Sequence, residues 1–92
     1  MVDLDPEGAA RAGLPVKEGV VVRGLFRGGP AEQSGLKLGD IILSMKGHKV
    51  DSLKELTRLL RQEFEAGKVV EVELFRDGSR RTIFLFLAER PN

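Results

Sequence analysis

Cysteine is absent from this 92-residue chain, as are tryptophan and tyrosine, and histidine occurs once. Without cysteine there is no disulfide, no thiolate metal site and no cysteine nucleophile. Cysteine usage therefore does not assign a compartment, since a cysteine-free domain suits the periplasm and the cytoplasm equally. One histidine leaves too few ligands for a zinc site, and no cofactor is expected. The five aromatic residues are all phenylalanine, so there is no evident platform for stacking bases. No charge of one sign dominates: 15 basic and 14 acidic residues are interspersed, for a formal net charge of +1. Such a balance exerts no long-range pull on nucleic acid or an anionic membrane. No apolar run approaches the roughly 20 residues of a membrane span, and no signal peptide is visible at the N-terminus. A targeting segment of an exported parent would lie outside these residues.

What is present is one domain's worth of chain, 41% hydrophobic and free of repeats and low-complexity tracts. Val20-Val21-Val22 is a β-branched run suited to a half-buried strand. Gly28 and Gly29 break it, and Pro30 then suits the first position of a short helix. Gly35 follows as a left-handed stop, Leu36 and Leu38 alternate with polar residues, and Gly39-Asp40 turns the chain into the strand Ile41-Ile42-Leu43. A second helix starts at Ser52, with Glu55 at capping-box spacing. Its apolar positions Leu53, Leu56, Leu59, Leu60 and Phe64 fall on one side, and Gly67 ends it. Val70, Val72 and Leu74 alternate with glutamates, Asp77-Gly78 is a hairpin signal, and Thr82 to Leu87 is the returning strand.

The order valine strand, Gly-Gly-Pro-Ala helix, Gly-Asp turn and aliphatic strand resembles the core of a PDZ peptide-binding domain. The match continues through most of the chain. The closing hairpin with Arg76-Asp77-Gly78 and the tail Glu89-Arg90-Pro91 are similar to the bacterial, circularly permuted form found in HtrA/Deg-type serine proteases. The resemblance implies a mainly β fold, a five-stranded partly open β-sandwich or barrel with two or three helices. It divides residues 1–92 into the end of a groove strand plus an insertion (1–18), a core (19–88) and a tail (89–92). The segment 3–16 resembles the insertion these modules carry, and equally reads as a surface loop with one helical turn. The family's apolar-Gly-apolar carboxylate loop would precede Asp3, where only Met1 and Val2 stand. Either the chain begins inside the groove strand, as a truncated copy of a larger protein, or another anchor is used. Losing two charge-assisted hydrogen bonds of roughly 1.5–3 kcal/mol each would weaken binding by about two to four powers of ten.

By resemblance, a peptide or unfolded-protein C-terminus would add as a strand beside the second helix. The groove flank would be Leu53, Thr57, Leu60 and Arg61, while Leu56, Leu59 and Phe64 read as core. Leu53 and Leu60 read alone also fit a wide core face. Leu53 stands where many animal PDZ domains carry a histidine that selects Ser or Thr, so an apolar ligand residue is expected there. Val21 and Arg23 share the strand face opposite Val20 and Val22, and Arg23 would meet ligand residues upstream of the terminus, or be an ordinary solvated charge. His48 follows Gly47 in a turn, with no positioned nucleophile or orienting carboxylate in its sequence context. No residue is expected to break bonds. Phe84 and Phe86 share the outer hairpin face with Phe75 and Val69 if the turn has two or four residues. That face implies cover by the insertion, a neighbouring domain or a second copy, unless a three-residue loop swaps the faces.

The implied function is peptide recognition in the service of an extracytoplasmic protease, free or membrane-associated. A secretion or envelope scaffold, a C-terminal processing peptidase or a membrane zinc protease would carry the same groove.

Overall fold

The computed structural model describes residues 1–25, 27–62 and 68–86, the side chains of Pro30 and Gln62 aside. In chain order the elements are β1 (Val2–Asp3), α1 (Pro6–Arg11), β2 (Val20–Val21), α2 (Pro30–Gln33), β3 (Ile41–Met45), β4 (His48–Lys49), α3 (Leu53–Gln62), β5 (Val69–Arg76) and β6 (Ser79–Phe86). The strands form one antiparallel sheet in the order β1-β2-β3-β5-β6, with β4 paired to β3. This is the expected mainly β, PDZ-like architecture with three helices; the strands number six, of which β1, β2 and β4 are two residues long. Phe64, Gly67, Leu87 and the tail 89–92 lie outside the described residues.

The β5–β6 hairpin closes through Asp77 and Gly78, both at positive φ (50° and 80°). That is the two-residue turn whose twist matches antiparallel strands. It fixes the register Val72 opposite Ile83 and Val70 opposite Leu85. In β3 the register shifts between Ile42 and Ser44. One extra residue there lets Ile42 and Met45, three apart, both point into the main core.

Strand alternation divides the apolar residues between two layers. The main layer holds Val20, Val22, Ile42, Met45, Val70, Val72 and Leu74, closed by Leu56 and Leu59 of α3. On the opposite face Val16, Ile41 and Phe75 form a smaller layer, joined by Leu4, Leu14, Val21 and Leu43. The N-terminal segment therefore folds as a cover over this second face. Within it α1 is capped by Asp5, whose carboxylate accepts from the Glu7 N–H at 3.2 Å. Gly19 makes the approach possible. Its φ is +144°, and an added Cβ would stand 2.7 Å from the Ile42 carbonyl oxygen.

One buried charge holds the sheet's upper corner. Asp40 is 1% exposed. Arg76 Nε donates to its Oδ1 at 2.7 Å, Arg76 Nη2 to its Oδ2 at 2.5 Å, and the Lys37 N–H to Oδ2 at 2.8 Å. Arg76 Nη2 also donates to the Gly35 carbonyl at 2.7 Å. Burial alone would raise the Asp40 carboxyl, but the Arg76 guanidinium and the Lys37 N–H outweigh it and hold it below its ordinary value. A carboxylate depressed in the folded state stabilises fully above its unfolded value of about 3.9 and loses that contribution as pH falls through the folded one. Urea midpoints should thus fall below about pH 4, with a shallower acid limb in Asp40→Asn. Asp40→Ala, which leaves Arg76 without its charge partner, should cost about 3–5 kcal/mol at pH 7. Unchanged urea curves for Asp40→Ala would contradict this.

Candidate functional site: a trough between the first strand and the third helix

Among the described residues β1 pairs with β2 alone, and the ladder is continued by the Leu4 N–H donating to the Gly19 carbonyl at 3.0 Å. The other margin of β1 faces α3. An open trough of about 610 Å³ lies there, lined by Asp3, Leu53, Lys54, Thr57, Arg58 and Arg61. β1 spans about 7 Å against about 15 Å for the ten residues of α3.

The helix is set by local chemistry. Ser52 Oγ accepts from the Glu55 N–H at 3.2 Å, which is the first half of the expected capping box. The second half is replaced, because the Glu55 carboxylate turns to Arg58. The hydrogen bonds from Arg58 hold the Glu55 carboxyl below its usual range, with a small contribution from His48. The first helical N–H, that of Leu53, donates to Asp3 Oδ1. This bond spans fifty residues and ties the edge strand to the start of the helix.

The helix buries Leu56 and Leu59 and leaves Leu53 37% and Leu60 40% exposed. Leu53, Thr57 and Arg61 line the trough, and Leu60 stands exposed beside them. Val21 belongs to the second layer, on the sheet face turned away from α3, and does not line the trough. Arg23 follows β2 and is exposed, outside the trough lining. Phe84 (64% exposed), Phe86 (45%) and Val69 (61%) cluster at the open end of the hairpin, Val69 directly opposite Phe86. Phe75, on the same face, is separated from them by being buried under the N-terminal cover.

Sequence reading missed Asp3, Lys54 and Arg58. Nothing in a sequence pairs Asp3 with a helix fifty residues on. The other two were detectable, because Lys54, Thr57, Arg58 and Arg61 are spaced three, one and three apart, a continuous helical stripe.

A second cleft of about 490 Å³ runs between residues 15–18 and β3–β4. Among its lining charges Lys49 pairs with Glu18 at 2.7 Å and Arg80 with Glu73 at 2.9 Å. Among the described residues no group of three His, Asp or Glu side chains is placed to hold a metal, and no helix is long and apolar enough to cross a membrane. His48 begins β4, exposed and paired through its backbone with Met45.

The sequence model of the PDZ domain family matches residues 2–86. The chain belongs to the PDZ domain family, in the permuted bacterial arrangement in which the groove strand comes first and the closing hairpin last. Its relatives are HtrA- and DegP-like. It is 39% identical over 70 residues to the serine protease Do-like HtrA of Bacillus subtilis, covering 76% of this chain and 16% of that protein. It is 36% identical over 90 residues to a probable periplasmic serine endoprotease, DegP-like, of Marinomonas sp., covering 98% of this chain and 19% of the relative. The chain thus spans under a fifth of these relatives. Among solved structures, the HtrA-type protease AlgW with decapeptide superposes with a TM-score of 0.79 at 28% identity, over 98% of this chain and 27% of the other. The fold of an HtrA3 PDZ domain bound to a phage-derived ligand (FGRWV) matches with a TM-score of 0.75 at 20% identity, over 96% of this chain and 78% of that one.

The Asp3–Leu53 bond is testable apart from any ligand. Asp3→Ala should lower stability by about 0.5–2 kcal/mol, the range of a lost helix cap. It should also raise amide hydrogen exchange at Val2 to Leu4 while β5–β6 stays protected. Equal protection of residues 2–4 in both proteins would show that the bond is not what holds the margin.

Proposed function

We propose that the trough receives an extended peptide, including a C-terminus, as an added strand on the β1 margin. The observation that carries this reading is the pair Leu53 and Leu60, exposed beside a strand margin that has no partner among the described residues. An edge strand offers main-chain donors and acceptors, and an apolar helix flank offers seats for alternate side chains. At about 0.5–1.5 kcal/mol per net hydrogen bond, four or five ligand residues give affinities in the micromolar range at best. The likeness to an HtrA-type protease solved with a decapeptide supports the same reading.

The module itself is proposed as non-catalytic, residues 1–92 forming one PDZ unit that regulates or feeds substrate to an HtrA/Deg-like serine protease. Relatives described as periplasmic endoproteases support an extracytoplasmic parent. The exposed Phe84/Phe86 corner is then the surface offered to a neighbouring domain of that parent.

Leu53→Asp and Leu60→Asp should each reduce peptide binding at least about tenfold, while both variants, changed at positions 37% and 40% exposed rather than in the core, still fold as judged by urea unfolding. Titration of the labelled domain with a peptide library, followed by NMR, should show apolar residues preferred over Leu53. A strict Ser/Thr requirement there, or undiminished binding by both variants, would refute the assignment. For the corner, Phe84→Ser with Phe86→Ser should leave peptide binding intact and abolish docking to the protease domain in the full-length parent. Unchanged docking would dispose of that surface.

A further inference from the structure

The two walls of the trough differ in charge. On the strand side the one carboxylate, Asp3, already accepts the Leu53 N–H. On the helix side, moving outward from the core, Leu53 gives way to Thr57 and then to Arg61, Lys54 and Arg58, about 100° per residue around the axis. The floor is apolar and the outer lip carries three cations. Arg58 is engaged with Glu55. Among the described residues no ion pair holds Lys54 or Arg61. In the second cleft two of the three lining cations, Lys49 and Arg80, are paired with neighbouring carboxylates. A chain of net charge +1 thus places three cations on one wall of its trough, two of them, Lys54 and Arg61, without an ion pair among the described residues.

Topology gives the direction of an added strand. Asp3, the end of β1, touches Leu53, the start of α3, and a strand lying along the trough with its end at that point runs from the Arg61 end of the helix toward its Leu53 end. Every strand pair in the described sheet is antiparallel. A ligand continuing that pattern runs the opposite way, with its N-terminal part beside Leu53 and Lys54. Its helix-facing side chains recur every second residue. Helical side chains tilt toward the helix N-terminus, so the Lys54 ammonium leans toward the ligand residue upstream of the one seated on Leu53. The helix terminus itself adds little there, since Asp3 and Ser52 already take the Leu53 and Glu55 N–H groups.

We propose that Lys54, flanked by Arg58, selects peptides carrying aspartate or glutamate two residues N-terminal to the side chain resting on Leu53. This rests on the peptide-binding reading above and names the ligand class of that site. If the ligand's third-last residue rests on Leu53, as the PDZ resemblance implies, the discriminating position is the fifth from its end.

The test uses three fluorescein-labelled decapeptides ending in Val-Trp-Val that differ only at the fifth-last residue, as Glu, Gln or Lys. Binding is read by anisotropy for the wild-type chain and Lys54→Glu, at low and high salt. The Glu peptide should bind the wild type about threefold to tenfold tighter than the Lys peptide, with Gln between. The order should invert in Lys54→Glu, and the spread should shrink in 0.5 M salt, where screening is strong. Equal binding of the three peptides, or an order unchanged by Lys54→Glu, would overturn the acidic preference while leaving the groove intact. Failure of all three to bind at millimolar protein would overturn the peptide-binding reading itself.

Discussion

The Asp40–Arg76 ion pair is the contact on which the arrangement of the sheet depends. Through Arg76 it joins the end of β5 to the Gly35 carbonyl, just past α2, and through Lys37 it closes the turn that leads into β3. The Asp40 carbonyl also accepts the Val22 N–H at 2.8 Å, and Val22 in turn accepts the Gly39 N–H. One residue therefore sets β2 against β3 and β3 against β5. Because β1 hangs on β2, the position of the trough follows from that corner. A buried pair of this kind adds little net stability over an apolar replacement, and the gain here lies in register: the guanidinium fork fits one alignment of three chain segments.

Much of the scaffold was legible in the chain. Asp77-Gly78 specifies its hairpin locally, because a two-residue turn with positive φ needs only those two residues. Ser52 and Glu55 mark the start of α3 for the same local reason, and the alternation of buried Leu36 with exposed Leu38 follows a simple period. Failures came where a fact is set by elements distant in sequence. Alternation placed Val21 opposite Val20, yet could not tell that this face would be covered by residues 4–16 and turned from the helix. It grouped Phe75 with Phe84 and Phe86, yet the cover reaches only Phe75. The extra residue near Leu43 carries no turn signature, so the shared depth of Ile42 and Met45 was invisible.

The helix illustrates how one short segment meets two requirements. Leu56 and Leu59 are committed to packing, so Leu53 and Leu60 remain available to something else. Next to them the surface changes from apolar to positive within about a third of a turn, while the chain as a whole stays close to neutral. Bulk composition is therefore a poor guide to this surface. Its character comes from the three-one-three spacing of Lys54, Thr57, Arg58 and Arg61 along the helix, which fold-level averages erase.

The bond from Leu53 to Asp3 fastens the two walls at one end, and no comparable tie is described near Leu60. A channel pinned in this way widens like a pair of shears, swinging about the Asp3 rivet rather than parting evenly. Bulky guests would then be tolerated with increasing ease toward the Leu60 mouth, and the steric tolerance of the cleft would be graded along its length by a single carboxylate.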